Sequence, residues 1–277
     1  MFQVTPRCCR TPDLAAPRGF LYPWAVDETP TGAGFDGLHT AATSPLLRDL
    51  WSVAFGDAYP AEVEPSSSCS WWTLGYAVSR LHLEPGSVLV DLGCGRAGPS
   101  LWLARALRTR LIGIDFSPAG LALAAQWAPR FTPQAEFREG TFEATGLPDA
   151  AADGLFSVDA LPFSPDIPAA LREAHRILRP GGRLVFSAWE SDLPDDTGVP
   201  DWSAALVAAG FDVEDRSPHP GSTERWLALY VQWQDHEDAL RRELGDRTVD
   251  NMLAEAADRP ARMAHRRNLL LTARRPA

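Results

Sequence analysis

Lysine is absent from this chain: all 26 basic residues are arginine, set against 36 acids, for a net charge of −10. No local physics excludes every lysine, so we read the absence as coding bias from a GC-rich genome. The acidic balance repels a nucleic-acid backbone in the mean field, which argues against a nucleic-acid partner. Cysteine is also scarce. The four cysteines, two of them adjacent at Cys8 and Cys9, do not make a disulfide scaffold. No Cys/His spacing suits a metal site, so no metal is expected. No apolar run approaches the roughly 18 residues of a membrane span. Met1 to Ala16 has no sustained apolar segment and contains Pro6 and Pro12, which argues against a secretory leader. The expected setting is cytoplasmic and reducing. The arginines near the C-terminus (Arg259, Arg262, Arg266, Arg267, Arg274 and Arg275) read as a solvated helix face and a strand end.

What is present is ordinary for a globular chain: 277 residues, 45% hydrophobic and 22% charged, enough for one large domain or a domain with a cap. Residues 1–34 are rich in Pro, Gly and Thr and read as a flexible or wrapping arm. Residues 35–84 read as an N-terminal helical cap carrying Trp51, Phe55, Tyr59, Trp71, Trp72 and Tyr76, interrupted by a loop from Asp57 to Ser68. Ser68 or Ser70 would cap the helix that follows. Residues 85–221 form the expected core, 222–265 a helical lid insertion with Trp226, Tyr230 and Trp233, and 266–277 the last strand and tail. Strands are expected near 87–92, 110–115, 134–138, 153–158, 183–189, 211–216 and 268–273. Helices are expected near 98–108, 118–128, 168–178, 200–209 and through 223–264, the last broken around Gly245. This alternation implies an α/β, Rossmann-like fold: a seven-stranded, mostly parallel sheet with helices on both faces, one antiparallel strand near the C-terminus, and a helical lid.

The most informative stretch is Val88-Leu-Val-Asp-Leu-Gly-Cys-Gly-Arg-Ala-Gly-Pro99. An apolar run ends in Asp91, breaks into a glycine turn, and resumes at helical spacing through Leu101, Leu103, Ala104 and Leu107. Gly93 and Gly95 carry no Cβ and so admit a close backbone or ligand approach. The spacing is not the phosphate-cradling G-x-x-x-x-G-K-[ST], and it departs from G-x-G-x-x-G after Gly98. Asp115 ends a second strand about twenty residues farther on, where an acid accepts hydrogen bonds from ribose hydroxyls in nucleoside-binding α/β folds. At a parallel sheet's switch point, Asp91, Gly93, Gly95, Asp115 and Asp159 should surround one crevice.

Asp91-Leu-Gly-Cys-Gly95, Asp115, Thr145-Gly-Leu-Pro148, Ser157-Val-Asp-Ala-Leu161 and Leu178-Arg-Pro-Gly-Gly182 occur in an order that resembles the class I S-adenosylmethionine-dependent methyltransferases. The likeness runs from Pro85 to Glu190 and is to the small-molecule type of bacterial natural-product and antibiotic pathways. It implies S-adenosylmethionine as cofactor, held by Asp91, Gly93, Cys94, Gly95, Asp115, Phe116, Thr141, Phe142 and Val158. Three positions depart from the family pattern. Gly140-Thr141 stands where a Gly-Asp pair often accepts the adenine amino group, Pro162 where a His or Gln is common, and Ala97 in place of a loop glycine.

The catalytic candidates are Asp159 and His39, with Asp36, Asp57, Glu62 and Glu190 behind them. Trp71, Trp72, Tyr76, Trp226 and Trp233 are the candidate lining of a small-molecule pocket, which the nearby acids would suit to an amine. Three functions follow. The first is methyl transfer to O, N or C of a small secondary metabolite. The second keeps the fold for a non-methylating step such as intramolecular cyclisation or elimination, aziridine formation being one example. The third is a catalytically silent partner subunit. Assembly as a homodimer or with a partner subunit is left open.

Overall fold

A computed structural model describes residues 32–132, 134–193 and 199–277, with backbone alone for residues 32–35 and 38. The expected arm, with Cys8 and Cys9, lies outside the described residues up to position 31. Helix α1 (Gly32–Ala41) already begins inside that stretch, and α2 (Pro45–Phe55) and α3 (Trp71–Leu81) follow. The core then alternates β1 (Val88–Leu92), α4 (Gly98–Leu107), β2 (Arg110–Asp115), α5 (Pro118–Trp127), β3 (Ala135–Glu139), β4 (Ala152–Ser157), α6 (Ile167–Ile177), β5 (Leu178–Ser191), α7 (Trp202–Ala208) and β6 (Asp212–Pro218). Helices α8 (Ser222–Asp235), α9 (Glu237–Leu244) and α10 (Asp246–Met263) precede β7 (Arg266–Arg274).

The seven strands lie in the order β3-β2-β1-β4-β5-β7-β6. Only β7 runs antiparallel, to both β5 and β6. Because successive strand residues face opposite sides, Leu89 joins a core beneath α3, α4 and α5, while Val90 and Leu92 join one beneath α6 and α7. Helix starts are set by side chains that satisfy otherwise orphaned amides. Ser70 caps α3 in a capping box with Thr73, Ser117 caps α5, Asp166 caps α6 and Asp201 caps α7. Each such cap contributes about 1 kcal/mol.

Two boundaries differ from the sequence reading. The lid helix breaks at His236 as well as at Gly245. The Arg179–Gly182 stop is already part of β5: the pairing jumps from Ala152↔Leu178 to Gly154↔Arg183, leaving the intervening residues as an irregularity against β4. They pair instead with the C-terminal tail, through Gly181 N to Arg275 O at 2.8 Å and Arg275 N to Gly182 O at 3.0 Å.

A third core belongs to the cap. Leu47, Leu50, Trp51 and Phe55 of α2 pack with Leu229, Tyr230 and Trp233 of α8 and with Val249, Met252 and Met263 of α10. The Trp51 and Trp226 rings meet edge-on at 5.1 Å. Segments far apart in the chain thus form one roof over the carboxyl ends of the strands.

Candidate active site

The chain leaves β1 toward β2 on one side, while β4 continues the sheet on the other. The gap beyond the carboxyl ends of β1 and β4 is therefore where a ligand is expected. A cavity opens there, lined by Asp91, Gly93, Cys94, Gly95, Asp115, Phe116, Phe142, Val158 and Asp159 among others. A narrower apolar slot leads off it between Ile114, Phe116, Thr141, Phe142, Phe163 and Pro165. All nine sequence-named cofactor residues line one or the other.

The loop after β1 is held by its own amides: Gly93 N and Cys94 N both donate to Ile114 O, at 2.8 and 3.0 Å. Asp115 accepts from Gly95 N at 2.7 Å and from Ser117 N at 2.8 Å, so its carboxylate links the loop to the start of α5. Gly93 sits at φ +74°, and a Cβ there would fall 2.5 Å from Ala160 Cβ. Asp91 lies buried beneath the loop at the wall of the cleft, and burial pushes its carboxyl up to about 7, a hydrogen bond with Ser100 opposing the rise and nearby Asp115 adding to it.

His39 lies on the cofactor side. Its ring is wedged between Gly95 and Gly120, where added Cβ atoms would fall 2.6 and 2.9 Å from it. Burial lowers its pKa, against the pull of Asp115. It lines the cleft at the glycine loop and not the second cavity described below.

Asp159, in the left-handed region at φ +49°, stands between the two cavities. Its carboxylate accepts from Ser68 N at 2.5 Å, Ser68 Oγ at 2.7 Å and Ser187 Oγ at 2.8 Å. It thereby ties the loop before α3 to β5. Arg96 ties the same loop from below, donating to Glu64 O at 2.8 Å and Ser66 Oγ at 3.1 Å. Asp159→Ala should therefore cost about 2–3 kcal/mol through buried donors left unpaired, together with any loss of turnover. Denaturant unfolding measures the first; an unchanged midpoint would contradict the tie.

The other acids have structural partners. Asp36 accepts from Ser117 Oγ and Ala119 N, Glu62 pairs with Arg105, and buried Glu190 accepts from Trp202 N and pairs with Arg216 and Arg267. Asp57 sits in an exposed 3-10 turn. Pro162 is buried in the turn Leu161–Phe163 and does not line either cavity; its neighbour Phe163 lines both and the slot as well.

The second cavity lies between β5, β7 and the cap, and shares Ser66, Asp159 and Phe163 with the first. Trp51, Trp189, Trp226, Tyr230 and Trp233 supply its aromatic wall. Trp226 and Trp233 are thus brought together as the sequence suggested. Trp71, Trp72 and Tyr76 are not, and their expected place in the pocket is corrected. They lie on α3, where Trp72 is 61% exposed, Trp71 packs edge-on with Trp102, and Tyr76 donates to Asp215 at 2.7 Å across the sheet. Both acids of this cavity already have partners. Asp159 is satisfied by serines, and Glu255 accepts from the Tyr230 hydroxyl with Arg259 and Arg266 as neighbouring charges. No local signal in the sequence marked Ser66, Phe163, Trp189, His219 or Glu255, which converge only through the sheet order and the cap.

Residues 90–186 match the family described as a methyltransferase domain. A 2-methyl-6-phytyl-1,4-hydroquinone methyltransferase of Synechocystis sp. (strain ATCC 27184 / PCC 6803 / Kazusa) is 35% identical over 118 residues, covering 43% of this chain and 36% of that protein. The chain spans 28–47% of the length of four such curated relatives. Among solved structures, the [4+2]-cyclase SpnF is similar at a TM-score of 0.69 with 23% identity, covering 90% of this chain and 97% of that one. A Haemonchus contortus phosphoethanolamine N-methyltransferase 2, solved with S-adenosylhomocysteine, gives a TM-score of 0.66 with 15% identity over 83% and 57% of the two chains. At these identities the structures bear on the fold.

Proposed function

We propose, for a chain whose core belongs to the class I S-adenosylmethionine-dependent methyltransferase family, that the cleft beyond β1 and β4 binds S-adenosylmethionine and the second cavity binds the acceptor. The observation that carries this is the shared wall: Ser66, Asp159 and Phe163 border both cavities, so ligands in the two would meet there. The residues present fit the cofactor. An acid ends β2 for the ribose diol, the slot of Phe116, Phe142 and Phe163 suits a flat base, and the buried Asp91 suits a cationic amino-acid end. When bound, the cofactor supplies an electrophilic methyl group on sulfur.

For the chain, most of the work is positioning, because an in-line displacement asks for alignment more than for acid–base help. The roof of α2, α8 and α10 excludes water from the acceptor, the Ser68–Asp159–Ser187 tie fixes the wall, and the glycine loop sets the floor. Of the expected helical cap, residues 45–59 act with 222–265 as the cap while α3 packs on the sheet, and the acceptor is a small secondary metabolite. The buried free thiols Cys69 and Cys94 suit a reducing cytoplasm. The saturation of Asp159 and Glu255 favours a second reading, a non-methylating step such as a cyclisation on the same scaffold, since neither is a free base.

Asp115→Ala should weaken S-adenosylhomocysteine binding by about 1.5–3 kcal/mol, the range for hydrogen bonds to a charged group. Unchanged affinity in a folded variant would refute the ribose role. Thr141 Oγ1 accepts from Ala144 N at 3.2 Å, and the residue is exposed beside the slot. Thr141→Asp should tighten S-adenosylmethionine binding by about 1 kcal/mol by offering the base a stronger acceptor. Weaker binding in that variant would place the adenine elsewhere.

A further inference from the structure

The second cavity holds a histidine whose surroundings decide where its ring proton sits. His219 follows β6, is 6% exposed, and is pinned to β7 by its own N–H to Asn268 O at 2.8 Å. Its Nε2 is 3.0 Å from Thr73 Oγ1. Thr73 belongs to the capping box of α3. Ser70 N donates to Thr73 Oγ1 at 3.2 Å, Thr73 N donates to Ser70 Oγ at 3.3 Å, and the two hydroxyl oxygens are 3.2 Å apart. Ser70 and Thr73 are sealed from solvent, so two hydroxyl protons must be shared among two oxygens and Nε2. If Thr73 turned its proton to Ser70, the Ser70 proton would have no acceptor among the described residues. If Ser70 donates to Thr73 and Thr73 to Nε2, every buried donor is satisfied. Nε2 is then the acceptor, and the ring proton belongs to Nδ1.

Nδ1 has no hydrogen-bond partner among the described residues, yet it is not one of the sealed orphan atoms, so it opens onto the cavity its ring lines. The remaining wall is largely apolar and aromatic, its acids are already engaged, and its two arginines act on Glu255, Arg266 also lying over the Trp189 ring. We propose that His219 is a substrate-binding residue whose Nδ1–H donates a hydrogen bond to a carbonyl oxygen of an uncharged, largely apolar acceptor. This rests on reading the second cavity as the acceptor compartment. Burial agrees with a neutral ring: it brings the His219 pKa down to about 4, opposed by Asp159 and aided by Arg225.

The test uses the full chain with 15N-labelled histidine, the His219 signals being assigned by their loss in His219→Phe. At neutral pH, Nδ1 should show a protonated and Nε2 an unprotonated nitrogen. The probes are 2-acetylnaphthalene and 2-isopropenylnaphthalene, matched in shape but with only the first carrying a carbonyl oxygen. Wild type should bind the ketone about five- to tenfold more tightly, the worth of one net hydrogen bond. The bound carbonyl stretch should fall in frequency, and the His219 Nδ1 signal should shift on binding the ketone alone. His219→Phe should erase the preference while still binding the hydrocarbon, and Thr73→Val should reduce it by releasing the ring proton to either nitrogen. A proton on Nε2, equal affinities in wild type, or a preference surviving in His219→Phe would overturn the proposal. Failure of either probe to bind would overturn its apolar-acceptor part. Titration with S-adenosylhomocysteine reads the cofactor cleft separately, so failure there would leave the His219 result standing.

Discussion

Gly93→Val should lower affinity for S-adenosylhomocysteine on the order of 100-fold or more, with loss of thermal stability. The glycine is at φ +74°, where a residue with a Cβ loses about 1–2 kcal/mol and a β-branched one more. The new Cβ would also lie 2.5 Å from Ala160 Cβ and 3.0 Å from Phe142 Cζ. Ala160 Cβ rides on the backbone, so the loop must move, at about 1–3 kcal/mol for overpacking. That movement displaces the floor of the cleft. Gly146→Ala is the control: φ is +70°, but nothing lies within 4 Å. It should cost about 1 kcal/mol of stability and leave binding unchanged. Comparable loss of binding in both variants would show that the effect is global unfolding, not the cleft.

Cofactor binding should release a proton from Asp91. Its carboxyl, ordinarily near 3.8, is raised by burial to about 7 in the free protein. The neutral form is therefore favoured in the native state. That contribution to stability is fully present below about pH 4 and is lost as pH rises through about 7. At about 1.4 kcal/mol per pKa unit, the span amounts to a few kcal/mol. A cationic ligand beside Asp91 favours the carboxylate, so affinity for S-adenosylmethionine should rise with pH up to about 7, above which loss of the ligand's own amino proton, with a pKa of about 8, opposes binding. Calorimetry in buffers of different ionisation heat should give close to one proton released at about pH 6, falling as pH rises through about 7. Asp91→Asn should abolish both the release and the slope while raising the thermal midpoint at alkaline pH. Proton uptake on binding at about pH 6, or the same release there in Asp91→Asn, would contradict the assignment.

The sheet and its cleft were legible in the sequence because both follow from local rules. A continuous apolar run ending in Asp91, glycines at a turn, and Asp115 about twenty residues later specify strand, loop and helix without long-range information. The acceptor side was not. Trp71 and Trp226 look alike as aromatics at helical spacing. One faces solvent and Trp102 while the other faces a cavity, because α3 lies on the sheet and α8 is roofed by α2. Asp159 reads in the sequence as a catalytic candidate, because Ser68, distant in sequence, occupies its oxygens only once the loop folds over it. His219 carries no motif at all. Its partner Thr73 belongs to the cap of α3, where the sequence marked only Ser68 or Ser70, and their contact is long-range.

Calorimetric titration of the wild-type chain with S-adenosylhomocysteine and with S-adenosylmethionine tests most directly whether the cleft beyond β1 and β4 holds S-adenosylmethionine. One site per chain for each ligand, lost in Gly93→Val and weakened in Asp115→Ala, is the expected result. No heat of binding for either ligand at millimolar concentration, from a protein that unfolds cooperatively, would contradict it.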